Sequence, residues 1–374
     1  MALTITNFRP IGFDNPPDTI HIGDDGLIAE GPAKGARNID CKGAWLSPGW
    51  CDLHVHVWHG GTDISVRAAE AGRATGVTAM ADAGSAGEAN FHGLREYVID
   101  PAAETIRAFL NIGSIGLVAC NRVSELIDLR SIDVDRTLAV VEANRDVICG
   151  IKVRASGVIV GGWGITPAKI AKRIAEICDL PLMVHVGEPP PLLDEVFDIL
   201  TPGDIVTHCF NGKRAGSIRD TAALWEQARR LSDEGVRMDI GHGAASFDFG
   251  VARRAIDDGL RPWSISTDLH LRNIDGPVHD MATTVAKLLA VGLELQDCVT
   301  AITEHPRSVL GLSGRDGLTP GTRADLTVFD LVDCDMTATD SEGGTLNLNQ
   351  MFEPRMTVIG ADLRDAARRT APAR

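Results

Sequence analysis

The chain has no apolar run approaching the eighteen residues that a bilayer-spanning helix needs. Its opening, Met1 to Pro10, lacks the basic stretch and apolar stretch of a secretory signal. Eight cysteines are scattered without one C-x-x-C pair, which favours reduced, mostly buried thiols over a disulfide framework or a thiolate metal site. Basic residues are the minority, 36 against 51 acidic ones, for a net charge of −15. That balance disfavours nucleic acid or an anionic membrane as partner, since both select basic surfaces. There is no internal repeat and no low-complexity stretch, and no G-x-G-x-x-G follows a strand-like run. The expectation left by these absences is a soluble, cytoplasmic protein with a small-molecule partner, with assembly into a homo-oligomer left open.

What is present is an alternation. A length of 374 residues suits a barrel of about 250 residues plus a smaller module. Eight β-rich runs occur around Gly49–His56, Val77–Ala83, Ala108–Ile112, Val147–Arg154, Pro181–Val186, Ile205–Cys209, Arg237–Gly241 and Trp263–Thr267. Amphipathic segments such as Asp135–Asn144, Pro167–Ile177, Arg219–Glu234 and Val251–Asp258 separate several of them, and Met281–Ala290 and Leu295–Ile302 follow. Parallel strands need crossover connections, so this order predicts an α/β fold, a (β/α)8 TIM-type barrel over 48–312. An open doubly wound sheet is the second choice. Short alternating runs at both ends, Leu3–Thr6, Thr19–Ile22, Ala324–Asp330 and Met356–Gly360, cannot bury much surface separately. They predict one composite β-sandwich domain from 1–47 plus 313–362, with 363–374 a flexible tail.

Barrel enzymes carry their working residues at the C-terminal ends of strands. Here those ends hold Asp52, His54 and His56 on the first run and Asp82 and Asn111 on the next two. Lys152 and Arg154 follow on the fourth, His185 on the fifth, His208 on the sixth, Asp239 and His242 on the seventh, and Asp268 on the eighth. His54 and His56 share one strand face and can ligate one divalent ion; the alternative is a packed or hydrogen-bonded pair. His185, His208 and Asp268 at neighbouring ends favour metal. Lys152 is one of only seven lysines and alone interrupts an apolar strand. Burial lowers a lysine pKa, and a neutral amine can add carbon dioxide to become a carbamate able to bridge two metals. The alternative is pairing with a carboxylate such as Asp82. Arg154 lies on the same face and could grip a substrate carboxylate, or form a structural ion pair with a loop acid. His242 is a candidate substrate contact, or a packing residue.

The ordered set Pro48-Gly49-Trp50-Cys51-Asp52-Leu53-His54-Val55-His56, Lys152, His185, His208 and Ser266-Thr267-Asp268 resembles the amidohydrolase superfamily, nearest its dihydroorotase-like and deacetylase metallohydrolases. Asp25–Ile28, Pro320–Leu326 and Thr303–Pro306 extend the resemblance over nearly the whole chain. It implies two divalent ions, zinc or manganese. His54, His56 and Asp268 would hold the more buried ion, His185 and His208 the other, and carboxylated Lys152 with a hydroxide would bridge them. Asp268 would be the catalytic acid and base.

One departure narrows the substrate. Relatives that open dihydroorotate usually carry Arg two residues after the HxH pair, and Trp58 stands there, followed by His59. The expectation is therefore hydrolysis of an amide or ester in a small carboxylate-bearing molecule, deacetylation of an N-acyl or O-acyl α-substituted acid first. Cyclic amide opening comes second, and a non-catalytic barrel scaffold is the reading from another class. Phosphoester hydrolysis at such a centre stays open, and single-metal deamination fits less well.

Overall fold

Seven of the eight expected barrel strands form one parallel sheet in sequential order in this computed structural model, which describes residues 1–126 and 128–369. They are β1 (Trp50–Val55), β2 (Val77–Gly87), β3 (Thr105–Asn111), β4 (Ile148–Ala155), β5 (Leu182–Val186), β6 (Ile205–Thr207) and β7 (Arg237–Asp239). Their side chains are buried on both faces, as a helix-covered parallel sheet requires.

The eighth run closes the ring without becoming a regular strand. It meets β7 at an Asp239–Ser264 bridge and β1 at a Val55–Leu269 bridge. The reason is local chemistry. Thr267 gives its N–H to the Asp52 carboxylate at 3.1 Å rather than to a neighbouring main-chain carbonyl. Asp268 then donates to the His54 carbonyl with φ at +49°, outside strand geometry.

The helices form where apolar spacing marks them: α1 (Val134–Ala143), α2 (Thr166–Cys178), α3 (Ala222–Asp233), α4 (Phe249–Asp257), α5 (Met281–Ala290) and α6 (Leu295–Ile302). In α2, Pro167 sits in the first turn, where its missing N–H costs nothing. Its buried stripe is Ala168, Ala171, Ile174, Ala175 and Cys178, and Asp179 in the left-handed region ends it. Placing a charge at Ala171 would break that packing. α5 differs because Met281 to Leu288 are all buried, Lys287 included. A helix buried on all sides needs a second covering layer.

That cover comes from the C-terminal strands. β8 (Asp325–Thr339) and β9 (Thr345–Ile359) form an antiparallel hairpin much longer than the runs Ala324–Asp330 and Met356–Gly360 suggest, and β9 packs on α5. β8 also pairs with Trp45–Pro48 in a five-stranded sheet. This sheet faces a four-stranded one made of Leu3–Thr6, Ile20–Ile22, Ile28–Ala29 and Arg37–Asp40. Leu3, Ile5, Ile20, Ile22 and Ile39 meet Leu46, Leu326, Val328 and Val358 in a shared core. Each such aliphatic side chain contributes about 1.5–3 kcal/mol on full burial. Nearer the barrel, Trp50 of β1 packs on Phe329 and Phe352 with ring centroids 5.4 and 6.2 Å away.

The expectation of a flexible tail from residue 363 needs correction for its first part. Asp362–Asp365 forms strand β10 along β9. Arg368 pairs with Glu353, and the Arg369 N–H donates to the Asp280 carboxylate. The sparse apolar content of this segment hides pairing that rests on main-chain bonds and charges. Residues 370–374 lie outside the described ones. Among the described residues no helix is long and apolar enough to cross a membrane.

Candidate active site

Six of the eight singled-out residues converge at the C-terminal ends of the barrel strands. His54 and His56 project from the end of β1 into one centre, with ring centroids 5.5 Å apart. His54 Nε2 lies 3.4 Å from an Asp268 carboxylate oxygen, and His56 Nε2 lies 3.2 Å from the same oxygen. Lys152 Nζ, from β4, is 3.4 Å from His54 Nε2. His208 stacks obliquely on His54 at 5.2 Å, and His185 meets His208 edge-on at 4.4 Å. His54, His208 and Asp268 each bring a ligand-type atom within 4.8 Å of the others. The chemistry of this donor set is that of a divalent-metal site.

The hydrogen bonds behind the rings decide which nitrogens face the centre. His208 Nδ1 meets the Gly241 carbonyl at 2.6 Å, and a carbonyl can only accept, so this nitrogen carries the proton. Nε2 is left with a bare lone pair, and it is buried with no protein partner. An orphaned acceptor of this kind costs about 1–3 kcal/mol unless something electrophilic meets it. Thr207 donates to the Asp239 carboxylate at 2.7 Å, so its oxygen accepts from His54 Nδ1 at 2.8 Å. That also strips His54 Nε2 of its proton. Ser264 and Ser266 donate to the same Asp239 carboxylate and hold it in place. His56 Nδ1 lies 3.0 Å from the Ser85 hydroxyl. Such outer contacts orient ligating imidazoles.

Burial reinforces these protonation states. It pushes His54 and His185 well below the ordinary histidine range and His208 down to about 3, so all three are neutral at pH 7. Burial opposes ionisation of Asp268, yet the carboxyl is held well below its usual value, with the His56 ring as a hydrogen-bond partner of its anion. Burial also brings the Lys152 amine down to about 7, making it a competent nucleophile. Its nearest partners are His54 and the Met183 sulfur at 3.2 Å. The alternative pairing with Asp82 is not formed. Asp82 instead accepts from the N–H groups of Val57 and Ser85.

Two centre residues carry backbone strain. His208 has φ +68° and Asp268 φ +49°, a left-handed conformation uncommon outside glycine. Strain of this type costs on the order of 1–3 kcal/mol and gathers at functional sites.

A cavity of about 450 Å³ opens above the centre, lined in part by His54, Lys152, Arg154, His185, His208 and Asp268. Arg154 reaches it, but its fork is already engaged. Nε and Nη2 donate to the buried Glu125 carboxylate at 2.7 and 2.6 Å. Of the two expectations for Arg154, the ion pair with a loop acid is the one formed: Glu125, fourteen residues past the end of β3, occupies two of its donors. His242 is corrected as a cavity residue. It is buried and does not line the cavity, because the Gly241–Gly243 turn rotates its ring to Phe247 and to Lys287. Trp58 is turned away too, its ring lying against Gly61 and Gly93.

Several contributors escape the strand-end reading. His270, Arg272, Arg122, Lys213 and Glu188 line the cavity from loops, and Lys213 pairs with Glu188 at 2.9 Å. His270, two residues beyond Asp268, reaches the cavity from the loop that follows the last barrel segment. Thr207, Ser85, Ser264 and Ser266 are ordinary strand-end hydroxyls that carry no signal until the rings behind which they stand are placed.

Comparison with known proteins agrees with this geometry. The model of the amidohydrolase family matches residues 45–362. A deacetylase of Brucella anthropi is 56% identical, the match covering 98% of this chain and 93% of that one. A deacetylase of Agrobacterium fabrum is 55% identical over 98% of this chain and 92% of its own. A crystal structure described as a dihydroorotase superposes with a TM-score of 0.96 at 53% identity, covering all of both chains.

Proposed function

The chain belongs to the amidohydrolase family and is a hydrolase, and on that premise we propose that it is a binuclear deacetylase removing the acyl group from an N-acyl or O-acyl α-substituted acid. The observation that carries the chemistry is the bare, buried Nε2 of His208 beside His54 and Asp268. The name borne by two relatives above half identity supports the acyl group.

In this reading His54, His56 and Asp268 would hold one divalent ion and His185 and His208 a second, with Lys152 as the ligand the two would share. When bound, two zinc or manganese ions would polarise the scissile carbonyl and bring the pKa of a water close to neutrality. The neutral Lys152 amine attacks carbon dioxide, forms an N–C bond and releases one proton to solvent, giving the carbamate anion. Its depressed pKa and lack of a carboxylate partner support that role. Asp268, ionised and facing both β1 histidines, takes the proton of the attacking water and returns it to the leaving nitrogen or oxygen.

The cavity supports a carboxylate on the substrate. Arg122, Arg154, Lys213 and Arg272 outnumber the acids Glu188 and Asp268 along its wall, in a chain whose net charge is −15. The Arg154 N–H groups left free by Glu125, two on Nη1 and one on Nη2, are the proposed contact. The proposal further takes 1–47 with 313–362 as one domain and 48–312 as the catalytic barrel, supported by the shared core of the two terminal sheets. It places the enzyme in the cytoplasm.

Opening of a cyclic amide is the second reading, favoured by the 53% identical structure called a dihydroorotase. A panel of acetylated α-hydroxy and α-amino acids set against dihydroorotate and hydantoins, with zinc or manganese and bicarbonate present, decides between them. Release of acetate from the first group alone is the expected result; turnover of the ring compounds alone overturns the deacetylase reading.

A further inference from the structure

Lys287 is one of the largest fully buried side chains in the molecule, yet it lies outside the cavity and contacts none of the residues proposed as metal ligands. Its ammonium has three donors, and three acceptors meet them. They are His242 Nε2 at 2.8 Å, the Pro277 carbonyl at 2.7 Å and the Thr339 carbonyl at 2.8 Å. These belong to three segments: the turn after β7, the loop before α5, and the tip of the β8–β9 hairpin. A lysine that only filled space would be replaced without loss by an apolar side chain, because desolvating an ammonium is costly.

The turn held at His242 is the one that touches the metal site. Gly241 accepts from His208 Nδ1, and a Cβ added at Gly241 would stand 2.8 Å from that nitrogen and 2.3 Å from the Thr207 hydroxyl. A Cβ at Gly243 would stand 2.6 Å from an Asp268 carboxylate oxygen. Both glycines have positive φ, +47° and +58°. The turn is therefore wedged against His208 on one side and Asp268 on the other. Its own N–H groups tie it to the eighth barrel segment, Gly241 donating to the Ser266 hydroxyl, His242 to the Ser266 carbonyl and Gly243 to the Thr267 carbonyl, but its two glycines leave the other side free to relax.

That other side is held from outside the barrel. His242 Nδ1 donates to the Gly243 carbonyl at 2.9 Å, so Nε2 is the acceptor for Lys287. Ser341, at the hairpin tip, lies within 3.0 Å of the Gly243 carbonyl and 3.2 Å of the His242 carbonyl. The tip itself is fixed by Asp340, which accepts from the N–H groups of Phe249, Glu342 and Gly344. A strand of fifteen residues reaches about 50 Å at 3.3 Å per residue, enough to carry the tip from the terminal sandwich to this face.

We propose that Lys287 is a positioning residue for the metal site, joining the hairpin tip through His242 to the turn that sets His208 and Asp268. Ser341 is its partner on the other side of the turn. This rests on the metal reading given above. The test uses zinc alone as probe, with affinity measured by competition against a chelator on the full-length protein. Lys287→Met keeps nearly the same volume and removes all three donors, and Ser341→Ala removes one hydroxyl. Leu289→Ala, on the same helix, is the control for simple loss of stability.

The expected result is zinc affinity about 10–100-fold weaker in Lys287→Met and several-fold weaker in Ser341→Ala, the range for lost contacts behind metal ligands. Leu289→Ala should lower the melting temperature yet bind zinc as the wild type does. Residual turnover in Lys287→Met should show a lower kcat at unchanged KM. If Lys287→Met does not fold, Ser341→Ala decides alone. Wild-type affinity in both folded variants overturns the positioning role and leaves the metal reading intact. A wild-type chain that takes up no zinc overturns that reading and this inference together.

Discussion

The carboxylate of Asp268 stands 3.2 Å from Nε2 of His56, so the last barrel segment meets the first at the side chains of the centre. The same residue has φ +49°, one of the departures that keep the eighth run from becoming a regular strand. Asp268→Asn keeps the size of the side chain and removes its charge and basicity. With an acyl substrate, kcat should fall by about 10²–10⁴-fold, the usual contribution of a positioned acid–base group. A steady-state assay checks it, and an Asn variant within a few-fold of wild type would remove Asp268 from the proton transfers.

Thr207 offers a cleaner probe of the proposed metal site, because it does not line the cavity. Its hydroxyl accepts from His54 Nδ1 and donates to Asp239. Thr207→Val should weaken metal binding by about 10–100-fold by freeing the His54 tautomer. Chelator titration reads this directly, with the melting temperature of the metal-free protein as control for packing.

Lys152 predicts a pH dependence whose sign can be worked out. Its pKa is about 7 when folded and about 10.5 as a free side chain. Between those values the unfolded chain binds a proton that the native chain does not, so stability rises with pH through this window. It is lost as pH falls from about 10.5 towards about 7. Melting of metal-free protein in buffer stripped of carbon dioxide should show that rise. Lys152→Met should flatten it partly, since Lys287 is lowered by burial to about 7 as well. A Met variant with the wild-type slope would mean that Lys152 is already paired and charged.

The Arg154–Glu125 fork makes a separate forecast. Lysine cannot reproduce two parallel N–H bonds, and Glu125 is fully buried. Arg154→Lys should therefore cost about 3 kcal/mol, as broken buried pairs do. It should also raise KM for a carboxylate-bearing substrate more than it lowers kcat. Denaturant unfolding and steady-state kinetics measure the two effects independently. An unchanged KM would assign Arg154 to the fold alone.

Residues at strand ends were legible before the structure because strand periodicity fixes which face they share. His54 with His56, and Lys152 within an apolar strand, are of that kind. His242 had the same address, but two left-handed glycines turn its segment and send the ring to Lys287. Glu125, His270 and Arg272 come from loops, where no period ties position to direction. The hairpin's reach was hidden for another reason. Beyond residue 330 its strand alternates half-buried with exposed polar side chains and looks like surface, while its contribution lies in main-chain carbonyls such as that of Thr339. Any residue type supplies a carbonyl, so composition leaves no trace of it.

The two terminal sheets give the hairpin a place in time as well as in space. Synthesis runs from the N-terminus, and the barrel strands all leave the ribosome before Asp325 does. Strand Trp45–Pro48 waits for its β8 partner, and the core of the four-stranded sheet waits for Leu326, Val328 and Val358. The nascent barrel can thus collapse with its histidines gathered while the tip carrying Thr339 and Ser341 is still absent. On the proposed role of Lys287 and Ser341, the turn beside His208 and Asp268 gains its outer support only once this tip is made, so completion of the centre would fall among the last events in the life of the new chain.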